Sequence, residues 1–295
     1  MVTKYSHIVP QFYLKHFAIA GTNKSIYAFN KSTKICKKKN IKKVACEKYY
    51  YDYPDKFLPK EQTKQECEMR LSKLEDVAKK MFDKLVLYAE DEKPIPVENI
   101  GSVAVYMAVQ ILRGQKNREH LRYISRKVET PDIRHRQILE EEFGKSYHDD
   151  FATYANIQSL IDTSHSIDVI YPELSNRFQW YIGVNESKFP LFTSDEPIVN
   201  NATKDTAYIG EWKITDPGKA IYFPISPKYI IMLEDRYCYA PFYINEWPYK
   251  KLSKIDVEYF NILQVAQSCK YVFCNENRLE SAISLLDEYP QLGQM

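Results

Sequence analysis

Apolar positions recur along this chain with two periods, and the switches between them mark out three parts. Pro10, Tyr13, Leu14 and Phe17 fall at i, i+3, i+4 and i+7, which predicts one buried face of a short helix. Pro10 suits the first turn of that helix, where its missing N–H is no loss. Gly21-Thr22-Asn23 reads as a turn, Ser25–Asn30 alternates like a strand, and residues 34–52 predict one or two more. The period then lengthens. Leu71, Leu74, Ala78, Met81 and Leu85 repeat at helical spacing, as do Val97, Ile100, Ala104, Met107 and Ile111 beyond the Pro94-Ile95-Pro96 break. Two antiparallel helices are expected, the second running on through Arg113–Lys127. Thr130-Pro131-Asp132 then caps a helix to about Phe143, and residues 149–165 form another.

From Phe178 the strand texture returns. Phe178–Val184 and Phe189–Thr193 predict a hairpin that turns at residues 185–188. Ala220–Pro224 and Tyr229–Leu233 predict a second, turning at Ser226-Pro227-Lys228. Residues 252–267 are helical, Tyr271–Cys274 is a short strand, and Asn275 caps a last helix to about Asp287. Strands, then helices, then strands predict an α+β fold: a mainly antiparallel sheet with a central multi-helix segment. No repeat or low-complexity linker interrupts the pattern. Residues 1–295 therefore read as a single integrated domain of three segments: 1–61 (motif helix and strands), 62–166 (helical) and 167–295 (α+β).

Composition narrows the class. The chain is 44% hydrophobic and 27% charged, as expected of a globular protein with a substantial core. No apolar run approaches the ~18 residues of a membrane span, so no membrane partner is expected. The first residues lack the layout of a signal peptide, and the six cysteines contain no C-x-x-C pair. Reduced thiols and a cytoplasmic location follow as expectations.

Charge changes the picture more. Residues 1–46 carry ten lysines and no Asp or Glu, and residues 113–136 carry a net +5. Against a whole-chain charge of +2, the other 225 residues hold −13. Such segregation can steer a polyanion to one face. Lys37, Lys38, Lys39, Lys42 and Lys43 of the basic loop and Arg118 and Arg122 of the basic helix are the candidate nucleic-acid contacts. Tyr49, Tyr50, Tyr51 and Tyr53 stand beside that loop.

Several familiar motifs fail. Phe143-Gly144-Lys145-Ser146 lacks the first glycine of a phosphate loop, and no G-x-G-x-x-G occurs. Asp168 with Glu186 and Lys188 imitates the carboxylate–lysine set of metal-dependent nucleases, the one place where a divalent metal is suggested. Arg113 and His120 imitate the Arg–His element of metal-independent HEPN-type ribonucleases, in which Arg stabilises phosphate and His moves protons. Two other sites are better formed. His7 precedes the first helix, whose dipole favours a neutral imidazole. Ser194 and Asp195 end an apolar stretch just before Pro197 forces a turn.

These residues belong to an ordered series. His7, Pro10, Tyr13, Leu14 and Phe17 come first, then Glu75, then Gln110-Ile111-Leu112-Arg113. Thr193-Ser194-Asp195-Glu196-Pro197, Phe223-Pro224-Ile225-Ser226-Pro227 and Asn261 complete it. In this series the chain resembles an uncharacterised bacterial domain-of-unknown-function family that often lies on mobile elements and in anti-phage defence islands. It departs from that pattern at Gly114-Gln115, where members commonly carry Thr-Pro, and His120 is not part of the series. The resemblance implies an antiviral effector. One pocket is expected, built from His7, Glu75, Gln110, Arg113, Ser194 and Asp195: a neutral base, a carboxylate to orient it and a guanidinium for a phosphate oxygen. The leading function is a nuclease acting on RNA or DNA. The alternative is a non-catalytic sensor or binding module that recognises a phage component. No cofactor is implied, and the sequence leaves the oligomeric state open.

Overall fold

The computed structural model describes residues 3–93, 95–96, 98–126, 133–162, 166–201, 216–239 and 246–290. The chain opens with β1 (Tyr5–His7), α1 (Gln11–Lys15), β2 (Ser25–Asn30), β3 (Ile35–Asn40) and β4 (Cys46–Lys48). The helical middle follows: α2 (Glu66–Glu90), the short β5 (Ile95–Pro96), α3 (Glu98–Arg113), α4 (Gln115–Ile124), α5 (Ile133–Phe143) and α6 (Tyr147–Ile161). The last part holds β6 (Phe178–Asn185), β7 (Thr193–Ser194), β8 (Val199–Asn200), β9 (Ala220–Pro224), β10 (Tyr229–Asp235) and α7 (Arg236–Tyr239). It ends with β11 (Glu246–Trp247), β12 (Tyr249–Leu252), α8 (Lys254–Gln267), β13 (Tyr271–Cys274) and α9 (Glu280–Glu288).

The fold is α+β with open, mostly antiparallel sheets. The five-stranded sheet has the order β12-β6-β10-β9-β8, and only β12–β6 is parallel. Its inner strands β6, β10 and β9 are buried at nearly every position because both faces are covered. Ile182, Ile231 and Phe223 stand in register and face the main core, whereas Tyr181, Met232 and Tyr222 face a second core with α8. The four-stranded sheet has the order β3-β2-β13-β7, which joins both ends of the sequence and leaves β3 at an edge.

The main core draws on all three segments of the chain. Phe12, Tyr13 and Phe17 of the N-terminal motif meet Phe82 of α2, Tyr106 of α3 and Phe223 of β9. The Tyr13 and Phe223 rings are stacked 5.2 Å apart. Mutual packing of such large aromatic rings contributes more than its buried area alone.

Four local expectations need correction. Pro10 is the N-cap of α1, with extended ψ of 141°, rather than its first helical residue. Phe178–Val184 and Phe189–Thr193 do not form a hairpin. Asn185 closes that loop on itself, accepting from Ser187 N and donating to Phe189 O and Pro227 O, and the chain then passes to the other sheet, where β7 pairs with β13. The basic helix is broken at Gly114, whose ψ is 158°, so Arg113 ends α3 and His120 lies on α4. The last helix begins at Glu280 after buried Leu279, not after Asn275. The predicted Thr130-Pro131-Asp132 cap lies outside the described residues. The Ala220–Pro224 and Tyr229–Leu233 hairpin forms as expected.

Candidate functional site

The N-terminal motif is gripped through its backbone. β1 pairs with β4, placing His7 opposite Cys46, and Ile8 N donates to Ala45 O at 2.8 Å. From α3, Gln110 Nε2 donates to Ile8 O at 3.1 Å and Arg113 Nη2 donates to His7 O. The Arg113 side chain is only 2% exposed. Its Nη1 lies 3.0 Å from Glu75 Oε1, and its Nε donates to the Tyr51 hydroxyl, which donates in turn to Arg113 O at 3.1 Å. Arg113 and Gln110 therefore hold the main chain of His7 and Ile8, and Glu75 joins them through Arg113.

The His7 ring is half-buried, and burial together with the Arg113 charge lowers its pKa to about 4. The imidazole is thus neutral at pH 7. The cause differs from the one expected: α1 has five residues, and desolvation with a guanidinium does the work assigned to a helix dipole. Nδ1 lies 3.4 Å from Gln11 Nε2, and the backbone of Ile41 and Lys42 beside the ring pulls its pKa the other way.

Ser194 and Asp195 have different neighbours. Residues 190–200 make only short strand pairings, so most of their backbone groups must be satisfied otherwise. A row of amides spaced three apart on α8 supplies the partners. Asn261 accepts from Phe192 N at 2.7 Å and donates to Pro190 O at 3.0 Å. Gln264 donates to Pro197 O at 2.9 Å and accepts from Ser194 Oγ at 2.7 Å. Gln267 accepts from Asn200 N at 3.1 Å and donates to Asn200 O at 2.6 Å. Asp195 accepts three backbone N–H bonds, from Cys269 (2.9 Å), Lys270 (2.7 Å) and Tyr271 (2.8 Å). Burial raises its carboxyl pKa, with those N–H groups and Lys31 pulling the other way.

The six expected residues thus form two clusters. Tyr13 ties them together, its hydroxyl lying 2.7 Å from Thr193 Oγ1 and donating to Pro224 O at 2.6 Å. The N-terminal helix therefore packs against the C-terminal strands, while the Asp195 carboxylate is spent on residues 269–271. A second link is Glu196, within the Thr-Ser-Asp-Glu-Pro motif but not among the expected site residues. Its Oε1 accepts from Lys116 N at 2.9 Å, near the start of α4. Burial raises its pKa to about 7 against the pull of Lys116. A Cβ on residue 114 would stand 2.4 Å from Glu196 Oε2, so glycine there lets α3 end and α4 begin against this carboxylate. The recess between Gln110, Lys116, Asn117 and Glu196 has room for about one water.

The basic candidates separate cleanly by burial. Arg118, expected on the surface, is 7% exposed and stacked on Tyr50 at 3.4 Å, donating to Tyr50 O and Asn156 Oδ1. A guanidinium so enclosed is a core residue, and the nucleic-acid role expected of it is withdrawn. Arg122 is paired with Glu119 and Asp149. Lys37, Lys38, Lys42 and Lys43 stay exposed, and Lys39 is partly covered. Of the metal-nuclease imitation, Asp168 is exposed and Glu186 pairs with Lys251 at 2.6 Å. Among the described residues no group of three or more His, Cys, Asp or Glu could hold a metal ion. No helix among them is long and apolar enough to cross a membrane.

No curated protein and no solved structure matches the chain. A protein-family model does, across residues 5–278, a span that contains both clusters, the aromatic core and the amide row. The chain belongs to that family, Protein of unknown function (DUF4238).

Proposed function

We propose that this protein is a nucleic-acid-binding module whose contact surface is the lysine-bearing edge of the four-stranded sheet. The observation that carries this is the separation just described. The polar motif residues are consumed by internal bonds, whereas Lys37 and Lys38 of β3 and Lys42 and Lys43 of the following turn remain open to solvent. An arginine whose guanidinium holds a backbone carbonyl, and a carboxylate holding three backbone N–H groups, reach a substrate only by opening the fold. Phosphate contacts by exposed lysines need no such opening. In the defence setting that the motif resemblance implies, the ligand would be phage nucleic acid, and loss of the lysine edge should cost protection.

The test is binding of labelled RNA and DNA at low salt by the parent protein and by a Lys37→Glu, Lys38→Glu, Lys39→Glu variant. The expected result is binding by the parent and a loss of roughly tenfold or more in the variant. No binding by the parent would overturn the proposal. A second function, metal-free hydrolysis centred on His7, is favoured by the neutral half-buried imidazole beside Arg113. Cleavage that survives EDTA and vanishes in a folded His7→Ala protein would establish it in place of simple binding.

A further inference from the structure

We propose that Tyr271 is a base-stacking platform, so that the lysine edge takes single-stranded nucleic acid rather than duplex. The inference rests on the nucleic-acid reading of β3. Tyr271 opens β13, opposite Asn30 of β2 and two strands in from the edge. In antiparallel register Tyr271, Asn30 and Ile35 share one face, which is also the face of Lys37 and Lys39. Lys39 Nζ lies 4.7 Å and Lys270 Nζ 5.5 Å from the centre of the ring, which is partly buried against the main core. Phe273 runs nearly parallel to the ring, at 20° and 6.1 Å.

This arrangement has the parts a single strand needs: an aromatic face for a base and flexible cations for the phosphates on either side. Two ammonium groups now use the ring as a cation–π partner. A base that displaces them would release both lysines to the flanking phosphates. The six residues of β3 span about 20 Å, enough for several nucleotides. Burial would raise the Tyr271 pKa, yet Asn30 and the charges of Lys39 and Lys270 leave it lowered, consistent with a positive local potential. Duplex DNA, with its bases paired inside, offers nothing to the ring.

Fluorescence anisotropy separates the alternatives. The probes are a labelled oligothymidylate, the same length of abasic strand, and a duplex, each against the parent, Tyr271→Phe and Tyr271→Leu proteins. The abasic strand should bind the parent about 5- to 100-fold more weakly than the base-bearing one. Tyr271→Leu should show a loss of similar size and no longer distinguish the two strands, while Tyr271→Phe keeps the discrimination. Equal binding of the two strands by the parent, which depends on no variant folding, would overturn stacking and leave the lysine edge standing. Tighter binding of duplex would do the same. Absence of binding to any probe would remove both proposals. Competition by free thymidine monophosphate as strong, per nucleotide, as by the oligomer would overturn a strand as the ligand.

Discussion

At the scale of single residues, the chemistry that looked catalytic serves to hold backbone. Asp195 is the clearest case, with three main-chain donors converging on one buried carboxylate. Asp195→Ala would leave those donors buried and unpaired, which should cost about 3 kcal/mol or more and lower the melting temperature sharply. Asp195→Asn, which keeps one acceptor oxygen, should fall in between. A catalytic Asp195 would instead give alanine and asparagine proteins of parent-like stability and no activity. Two groups make opposite contributions to pH dependence. His7 is depressed to about 4 from an ordinary 6.5, so its contribution is complete above pH 6.5 and is lost as pH falls through 4. Glu196 is raised to about 7 from 4.5, so the folded state is favoured by its protonation below pH 4.5 and loses that advantage as pH rises through 7. Denaturant titrations between pH 4 and 7 should show stability falling more steeply with rising pH in His7→Gln than in the parent, and less steeply in Glu196→Gln. Superimposable profiles would refute both assignments.

At the scale of elements, α8 acts as a side-chain substitute for a neighbouring strand. Asn261, Gln264 and Gln267 recur every three residues on one face and satisfy groups between Pro190 and Asn200. Gln264 is fully buried and bonds both Ser194 and Pro197. Gln264→Leu should therefore destabilise by about 2–3 kcal/mol, measurable by urea unfolding, and leave binding by the β3 lysines, which Gln264 does not touch, unchanged in the folded fraction. What was legible beforehand follows the same logic. The long helices and the Ala220–Asp235 hairpin announce themselves through local periodicity and turn residues. The N-terminal and Thr-Ser-Asp motifs were visible as residues, yet not as roles, because their partners lie far away in sequence. Asn185 and Pro190 disguise a sheet-to-sheet crossover as a hairpin. Gly114 breaks a seemingly continuous basic helix because of Glu196, a contact that no local pattern reveals. The Asn-x-x-Gln-x-x-Gln spacing on α8 is a local signal for this amide row.

At the scale of the whole molecule, burial redistributes the charge asymmetry. The two basic regions of the sequence do not add into one surface. Arg113 and Arg118 enter the interior, Arg122 is neutralised by acidic neighbours, and the N-terminal lysines are left as the exposed cationic feature of those candidates. Lysines along an edge strand also keep it from pairing with other chains, and glutamates preserve that protection, so the Lys37→Glu, Lys38→Glu, Lys39→Glu protein separates binding from association. The most direct measurement is the salt dependence of binding to a single-stranded oligonucleotide, in parent and triple variant, from low to moderate ionic strength. Each phosphate contact contributes about −0.7 to the slope of log affinity against log salt concentration. The parent should give a slope near −2 or steeper, and the variant should bind more weakly with a shallower slope. A flat slope in the parent, or identical slopes and affinities in both proteins, would contradict the lysine edge as the binding surface.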